Sequence, residues 1–376
     1  MNIKSLLLGS AAALVAVSGA RAADAVVIAE PEPMEYVRVC DVYGTGFFYI
    51  PGTETCLRVG GYIRYDIGVG ALGHQDVFDK KELSEGNLET NDTYYKRARF
   101  QLRVDSRSET ELGTLRTYAA INFHYDTKVV GVDVDGDDIN DGVVTTTGDN
   151  VGIEHAYIEL GGFRIGKTDS LFSTFTGYAG GVINDDIIGY GPFGTHQIAY
   201  TFTGGNGFSA AVALEEGAGE LYALDDYVPH VVGGLAWTQG WGGVSAVAAY
   251  DAVWEEWAAK VRLDVNATEQ LSLFIMAGFS STDDESLDEL FNYYGNWGGD
   301  WAVWGGGTFT VSEKAKINVQ LSYHELENFA AVANVNYTLV PGLVITPEIV
   351  YVDNFDDDID DDSDEIGGFL RFQRTF

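Results

Sequence analysis

Arg97-Ala98-Arg99-Phe100-Gln101-Leu102-Arg103-Val104-Asp105-Ser106-Arg107 alternates with a period of two. Ala98, Phe100, Leu102 and Val104 fall on one face of an extended chain. Arg97, Arg99, Gln101, Arg103, Asp105 and Arg107 fall on the other. Successive side chains of a strand point to opposite faces, so this stretch separates an apolar environment from a wet one. The pattern recurs along the chain. Ile317, Val319, Leu321 and Tyr323 oppose Lys316, Asn318, Gln320, Ser322 and His324. Trp257, Ala259, Val261, Leu263 and Val265 oppose Lys260, Arg262, Asp264 and Asn266.

Sixteen such strands are expected, at 57–70, 94–107, 112–126, 151–160, 163–169, 195–204, 207–216, 230–239, 243–252, 257–266, 270–280, 300–311, 315–325, 328–339, 343–352 and 365–376. Even-numbered segments are followed by tight links such as Gly161-Gly162 and Pro341-Gly342. Most odd-numbered ones are followed by long loops, including 71–93, 127–150, 170–194 and 281–299. The links near 253–256 and 326–327 are short exceptions. An even number of ~10-residue alternating strands, with short turns at one end and long loops at the other, is the pattern of a transmembrane β-barrel of the outer membrane. Aromatics near strand ends (Tyr65, Tyr125, Trp237, Trp257, Phe279, Tyr337, Tyr351) suit its interfacial girdles. A soluble β-sandwich would show the same local alternation, but not apolar outer faces on nearly every strand.

Composition points the same way. The 376 residues include 46 glycines and 41 Phe plus Tyr, against seven prolines and three methionines. Glycine and aromatics are poor or middling helix formers, and a disordered chain lacks so many aromatics. A net charge of −35 excludes a phosphate-binding nucleic-acid partner. Outside the N-terminus no run of ~18 apolar residues is available for a helical span.

Residues 1–22 read as a secretory signal peptide, with Lys4, an apolar core from Leu6 to Val17, and Ala20-Arg21-Ala22 for cleavage. Residues 23–56 form a lead-in, and 57–376 the barrel domain. Export implies an oxidising compartment. Cys40 and Cys56 are therefore expected to pair, closing a loop worth about 3 kcal/mol in the chain-entropy model. The alternative is two free thiols, which an exported protein rarely keeps. Two sulfurs without a nearby histidine make a poor metal site, and no motif asks for a cofactor.

The stretch Tyr36-Val37-Arg38-Val39-Cys40-Asp41, followed by Gly46-Phe47-Phe48-Tyr49-Ile50-Pro51-Gly52 and Cys56-Leu57-Arg58-Val59-Gly60-Gly61-Tyr62, resembles the N-terminus of alphaproteobacterial (Rhizobiales-type) general outer-membrane porins. Arg97-Ala98-Arg99-Phe100 and the ending Phe369-Leu370-Arg371-Phe372-Gln373-Arg374-Thr375-Phe376 are similar to that family too. The resemblance implies a sixteen-stranded barrel, a homotrimer, and a third external loop folded into the lumen. It also implies a place among outer-membrane lipid and lipopolysaccharide.

A porin breaks no bonds. It holds open a wet hole, tuned by charged side chains at a constriction. Eleven of the 22 Lys and Arg lie between Arg58 and Lys128. By strand parity Arg58, Arg64, Arg97, Arg99, Arg103, Arg107 and Arg116 face the lumen, since a charge on the lipid face costs ~2–4 kcal/mol at the midplane. Arg64, Arg97, Arg99, Arg103 and Arg116 are the expected basic half of the constriction, unless pairing with Asp66, Asp105 or Glu159 makes them structural. The loop 170–194 is more apolar and aromatic than the others, as a loop packed inside the barrel should be. Its Asp185 and Asp186 are the expected acidic half.

The acid-rich run Asp133 to Asp141 has Asp138 at the sixth position, where a calcium loop has Gly, and no Glu at the twelfth, and reads as a solvated external face, as does 353–365. The six histidines are scattered, without HExxH or G-x-S-x-G, so no enzyme is expected. The favoured reading is a general diffusion porin for small hydrophilic solutes and ions, weakly cation-selective at low salt, with both termini periplasmic. A substrate-selective sugar channel would show a ladder of lumenal aromatics, of which Tyr62 and Tyr118 are only two. A non-conducting structural or adhesin barrel would have a plugged lumen.

Overall fold

The computed structural model describes residues 38–135, 139–281, 291–354 and 364–376; residues 1–22, read as a signal peptide, lie outside them. Sixteen antiparallel strands carry the fold: β1 Cys56–Gly70, β2 Tyr95–Thr110, β3 Gly113–Val132, β4 Gly142–Leu160, β5 Phe163–Asp169, β6 Gly194–Thr203, β7 Phe208–Glu215 and β8 His230–Gln239. They continue as β9 Gly242–Asp251, β10 Glu256–Asn266, β11 Leu271–Ser280, β12 Trp301–Ser312, β13 Ala315–His324, β14 Asn328–Val340, β15 Leu343–Asn354 and β16 Glu365–Thr375. Each pairs with the next, and β16 returns to β1 with Arg371 opposite Asp66 and Gln373 opposite Arg64. The sheet is closed, so no edge remains.

Every even-numbered strand down to β14 ends in a turn of a few residues, while the other end of the barrel carries the loops. At Gly161-Gly162 the φ values are 57° and 91°. A two-residue hairpin needs this left-handed backbone at both positions, and glycine adopts it without a steric penalty. The expected loop 127–150 is mostly strand: β3 and β4 extend past the rest of the wall, and the acid-rich run sits at their tip. The loop 71–94 holds two short strands, His74–Phe78 and Thr90–Thr93, and a helix, α1 (Lys80–Ser84), whose N-cap Asp79 accepts from the Lys81 and Glu82 amides.

The outer wall is apolar. Ile63, Phe100, Ile198, Leu235, Val261, Ile275, Leu321 and Ile349 are exposed, and Tyr65, Tyr125, Trp237, Trp257, Phe279 and Tyr337 stand exposed with them. So large a continuous apolar surface suits lipid, not water.

The buried core lies inside the barrel. Helix α2 (Leu171–Thr176), capped by the Ser170 hydroxyl, brings Leu171 and Phe172 against Tyr294 and Trp297 of the β11–β12 loop. The inward positions opposite them are small. Ala199, Ala211, Ala249, Ala258 and Ala302 belong to this cluster, and Gly234 and Gly278 lie under the Phe175 and Trp297 rings. The lumen along β6–β12 is therefore filled, and the open part lies against β1–β4 and β13–β16.

Cys40 and Cys56 form a disulfide with Cα atoms 6.0 Å apart. Their cluster includes Phe47, whose ring lies under the Arg58 and Arg107 guanidinium groups at 4.7 and 5.1 Å. The described part of the lead-in thus lies at the short-turn end of β1 and β2.

Candidate functional site: the lumenal constriction

The basic wall is built by parity and register. In β1 and β2, Arg64 is paired with Arg99 and Asp66 with Arg97, and all four point inward. Barrel closure adds Arg371 and Gln373 from the last strand. Asp66, fully buried, accepts from Arg97 at 2.9 Å and from Arg371 at 2.8 and 3.1 Å. A buried carboxylate is tolerable only with such partners. Arg64 donates twice to the Gln373 side-chain oxygen, at 2.9 and 2.7 Å. The Tyr62 ring sits 4.6 Å from the Arg64 guanidinium and 5.4 Å from that of Arg103, and its hydroxyl accepts from Arg99 at 3.4 Å. Among the described residues no carboxylate lies in ion-pair range of Arg64, Arg99 or Arg103.

Arg116 is placed differently. It is held by Asp105 at 3.1 and 3.2 Å and by Glu159 at 2.8 Å. Asp105 also accepts from Arg58 and Arg107, and Glu159 from Arg164. This network lies nearer the short turns and takes no part in the cavity lined by the other four predicted arginines.

Loop 170–194 crosses the lumen to face the wall. Its backbone is tied to strands far apart in the chain. The Tyr178 carbonyl accepts from Arg262, the Tyr190 carbonyl from Lys260, the Ile188 carbonyl from Trp304 at 3.1 Å, and the Asp185 carbonyl from Gln320 at 2.7 Å. Its tip is held by Glu348 of β15. That carboxylate accepts from the Ile183 amide, from the Asn184 amide at 3.0 Å and from the Asn184 side chain at 2.6 Å. Asn334 donates to it as well, at 2.9 Å.

Asp185 and Asp186 line the same cavity of about 870 Å³ as Arg64, Arg97, Arg99, Arg103 and Arg371. The Asp185 carboxylate accepts from the Tyr190 hydroxyl at 2.9 Å. Burial, with Asp186 adding its negative charge, pushes the Asp185 carboxyl up to about 6. A second cavity, of about 460 Å³, opens beside the β12–β13 turn. The two share Arg64, Ile183, Arg371 and Gln373, which therefore mark the neck between them.

Sequence reasoning missed three of these features. Arg371 and Gln373 alternate with Leu370 and Phe372 on the last strand, but only closure brings them beside β1. Ile183 is an apolar loop residue with no charge to flag it. Glu154 is aimed inward by a β-bulge: Ala120 pairs with His155 and Ile121 with Ile153, leaving Glu154 as the extra residue. It accepts from Asn122 at 2.6 Å and lines the cavity beside His155. A bulge breaks the period of two, so parity could not place it. At the tip of β3–β4, Asp133, Asp135 and Asp141 bring carboxylate oxygens within 4.8 Å of one another.

A closed sixteen-stranded barrel with an apolar outer wall and a charged, loop-narrowed lumen defines a pore protein of the outer membrane. Comparison with known proteins agrees. The family described as the porin subfamily matches residues 24–369, and the chain belongs to it. It is 50% identical to the porin Omp2a of Brucella melitensis over 388 residues, covering 100% of both chains. It is also 50% identical to the porin Omp2b of Brucella suis over 390 residues, again covering 100% of both. Among solved structures, the outer-membrane channel DcaP of Acinetobacter baumannii aligns with a TM-score of 0.60 at 17% identity, covering 87% of this chain and 99% of that one. A Rhodopseudomonas blastica porin variant aligns with a TM-score of 0.52 at 11% identity, covering 85% and 100%. These likenesses show the shared barrel fold. The protein is thus a general outer-membrane porin and not an enzyme.

Proposed function

We propose that the protein is a homotrimeric diffusion pore whose eyelet is the gap between the tip of loop 170–194 and the wall of Arg64, Arg97, Arg99, Arg103, Arg371 and Gln373. Small hydrophilic solutes and ions cross it passively. The observation that carries this reading is the pair of lumenal cavities meeting at Arg64, Ile183, Arg371 and Gln373. Because the lumen along β6–β12 is filled, the path is off-centre and its walls are oppositely charged. The short-turn end, which also carries the start of β1 and the end of β16, is read as periplasmic, with both termini there and the long loops at the lipopolysaccharide surface. Residues 1–22 are read as removed on export. The acids of the outer loops concentrate cations at the mouth, which supports weak cation selectivity at low salt.

Planar-bilayer recording of purified, refolded protein tests the reading. Expected are current steps in groups of three, and solute flux linear in concentration. Absence of conductance would leave a closed structural barrel, and saturable flux would indicate a substrate-selective channel.

A further inference from the structure

The two cavities differ in charge as well as in position. The larger one, toward the long loops, is lined by the carboxylates of Glu154, Asp169, Asp185 and Asp186 opposite the arginines. The smaller one, at the short-turn end, is lined by Arg64, Lys314, Lys316 and Arg371, with Glu313 as its acid. Lys314 lies in the β12–β13 turn, and Lys316 is the first inward position of β13, in line with Asn318 and Gln320.

The charges of this vestibule are poorly compensated. Arg371 is neutralised by Asp66. Arg64 is engaged by the Gln373 amide oxygen and the Tyr62 ring, both neutral. Lys314 and Lys316 have no carboxylate in ion-pair range among the described residues. Three uncompensated cations therefore face one acid. Two neutral donors, the Asn336 side-chain NH₂ and the Thr338 hydroxyl, line the same space and donate to no other group among the described residues. At about 30 Å³ per water, a cavity of about 460 Å³ has room for an anion with part of its hydration shell.

We infer that this short-turn vestibule is a holding site for multivalent oxyanions of the phosphate class, reached from the short-turn end. Lysine ammonium groups supply several donors each to phosphate oxygens, and the Arg64 fork closes the inner side. An anion held there leaves a space where cations outnumber the one acid for a lumen where Asp185, Asp186, Glu154 and Asp169 stand across from the arginines and offset them, so it does not readily go on. It stays in the path and obstructs it. From the other end the same anion must first cross the field of the acidic loops and those carboxylates. Occupancy, and hence block, is one-sided. The inference rests on the diffusion-pore reading.

The test is single-channel recording in about 0.1 M KCl, where the Debye length is about 10 Å, with tripolyphosphate added first to one compartment and then to the other. The open channel in KCl alone is recorded first, and a protein that gives none overturns the pore reading and the inference together. With the channel present, reversible block from one side only is expected. Lys314→Gln/Lys316→Gln should raise the half-blocking concentration roughly tenfold, the worth of two screened charge contacts. Lys80→Gln/Lys81→Gln removes two charges from α1 at the opposite end and should leave it in place. Heat-modifiable gel mobility shows that each variant has folded. Equal block from both sides, or an unchanged half-blocking concentration in the Lys314/Lys316 variant, overturns the inference while leaving the pore reading intact.

Discussion

Glu348→Ala should loosen the eyelet without touching a residue that lines the neck. The Glu348 carboxylate is buried and accepts three hydrogen bonds from the loop tip, from the Ile183 amide, the Asn184 amide and the Asn184 side chain. A hydrogen bond to a charged group contributes about 1.5 kcal/mol at the lower end of its range. Three would give about 4.5 kcal/mol, but water in the lumen can re-solvate the freed donors, and about half that figure is a reasonable net loss. Two kcal/mol is roughly a thirtyfold rise in the population with the tip detached. Ile183, one residue from Asn184, lines the neck, so detachment changes the narrowest point. The assay is single-channel recording, with hydrogen exchange at the Ile183 and Asn184 amides as a second readout. Expected are larger current noise, a higher mean conductance and faster exchange at those two amides. Glu348→Gln keeps one acceptor oxygen but turns an NH₂ toward donors, and should lie between. Wild-type noise and wild-type exchange in Glu348→Ala would refute the idea that this carboxylate holds the tip.

Asp185→Asn/Asp186→Asn should lower cation selectivity in reversal-potential measurements; unchanged selectivity and conductance would remove both from the eyelet. Wild-type selectivity should also fall as pH drops through about 6, where the raised Asp185 carboxyl takes up its proton. Because that carboxyl is raised above its ordinary value near 4, the folded loop binds the proton more tightly than the unfolded chain. Its contribution to stability grows as pH falls from 6 toward 4 and is lost as pH rises again. Gly234→Ala should lower the melting temperature of the barrel, since a Cβ there would lie 2.5 Å from the Phe175 ring and overpacking costs about 1–3 kcal/mol. Gly233→Ala, where nothing lies within 4 Å, is the control and should melt like the wild type. Cys40→Ser/Cys56→Ser should lower the denaturation midpoint by up to about 3 kcal/mol of stability, and an unchanged midpoint would show that the disulfide leaves the barrel's stability unaffected.

The sequence by itself determined the barrel. Period-two alternation is a local property, and each strand states which of its faces meets lipid. Ala98 and Phe100 against Arg97 and Arg99 are enough to put the arginines in the lumen, and the breaks in the alternation divide the chain into sixteen strands. The apolar composition of 170–194 likewise marked it as the loop that belongs inside.

Tertiary structure decided what lies opposite what. Arg64 and Gln373 are 309 positions apart and became partners only because the sheet closes. Arg116 shares the parity of its neighbours, yet Asp105 and Glu159 neutralise it away from the cavity, while among the described residues Arg64, Arg99 and Arg103 have no carboxylate in ion-pair range. The filling of the lumen along β6–β12 by Phe172, Tyr294 and Trp297 depends on two loops meeting across small inward residues on several strands. Periodicity reports only the environment of each residue along its own strand. Distances across the lumen are set by closure, by one bulge at Glu154 and by side-chain volume, and no local pattern encodes them.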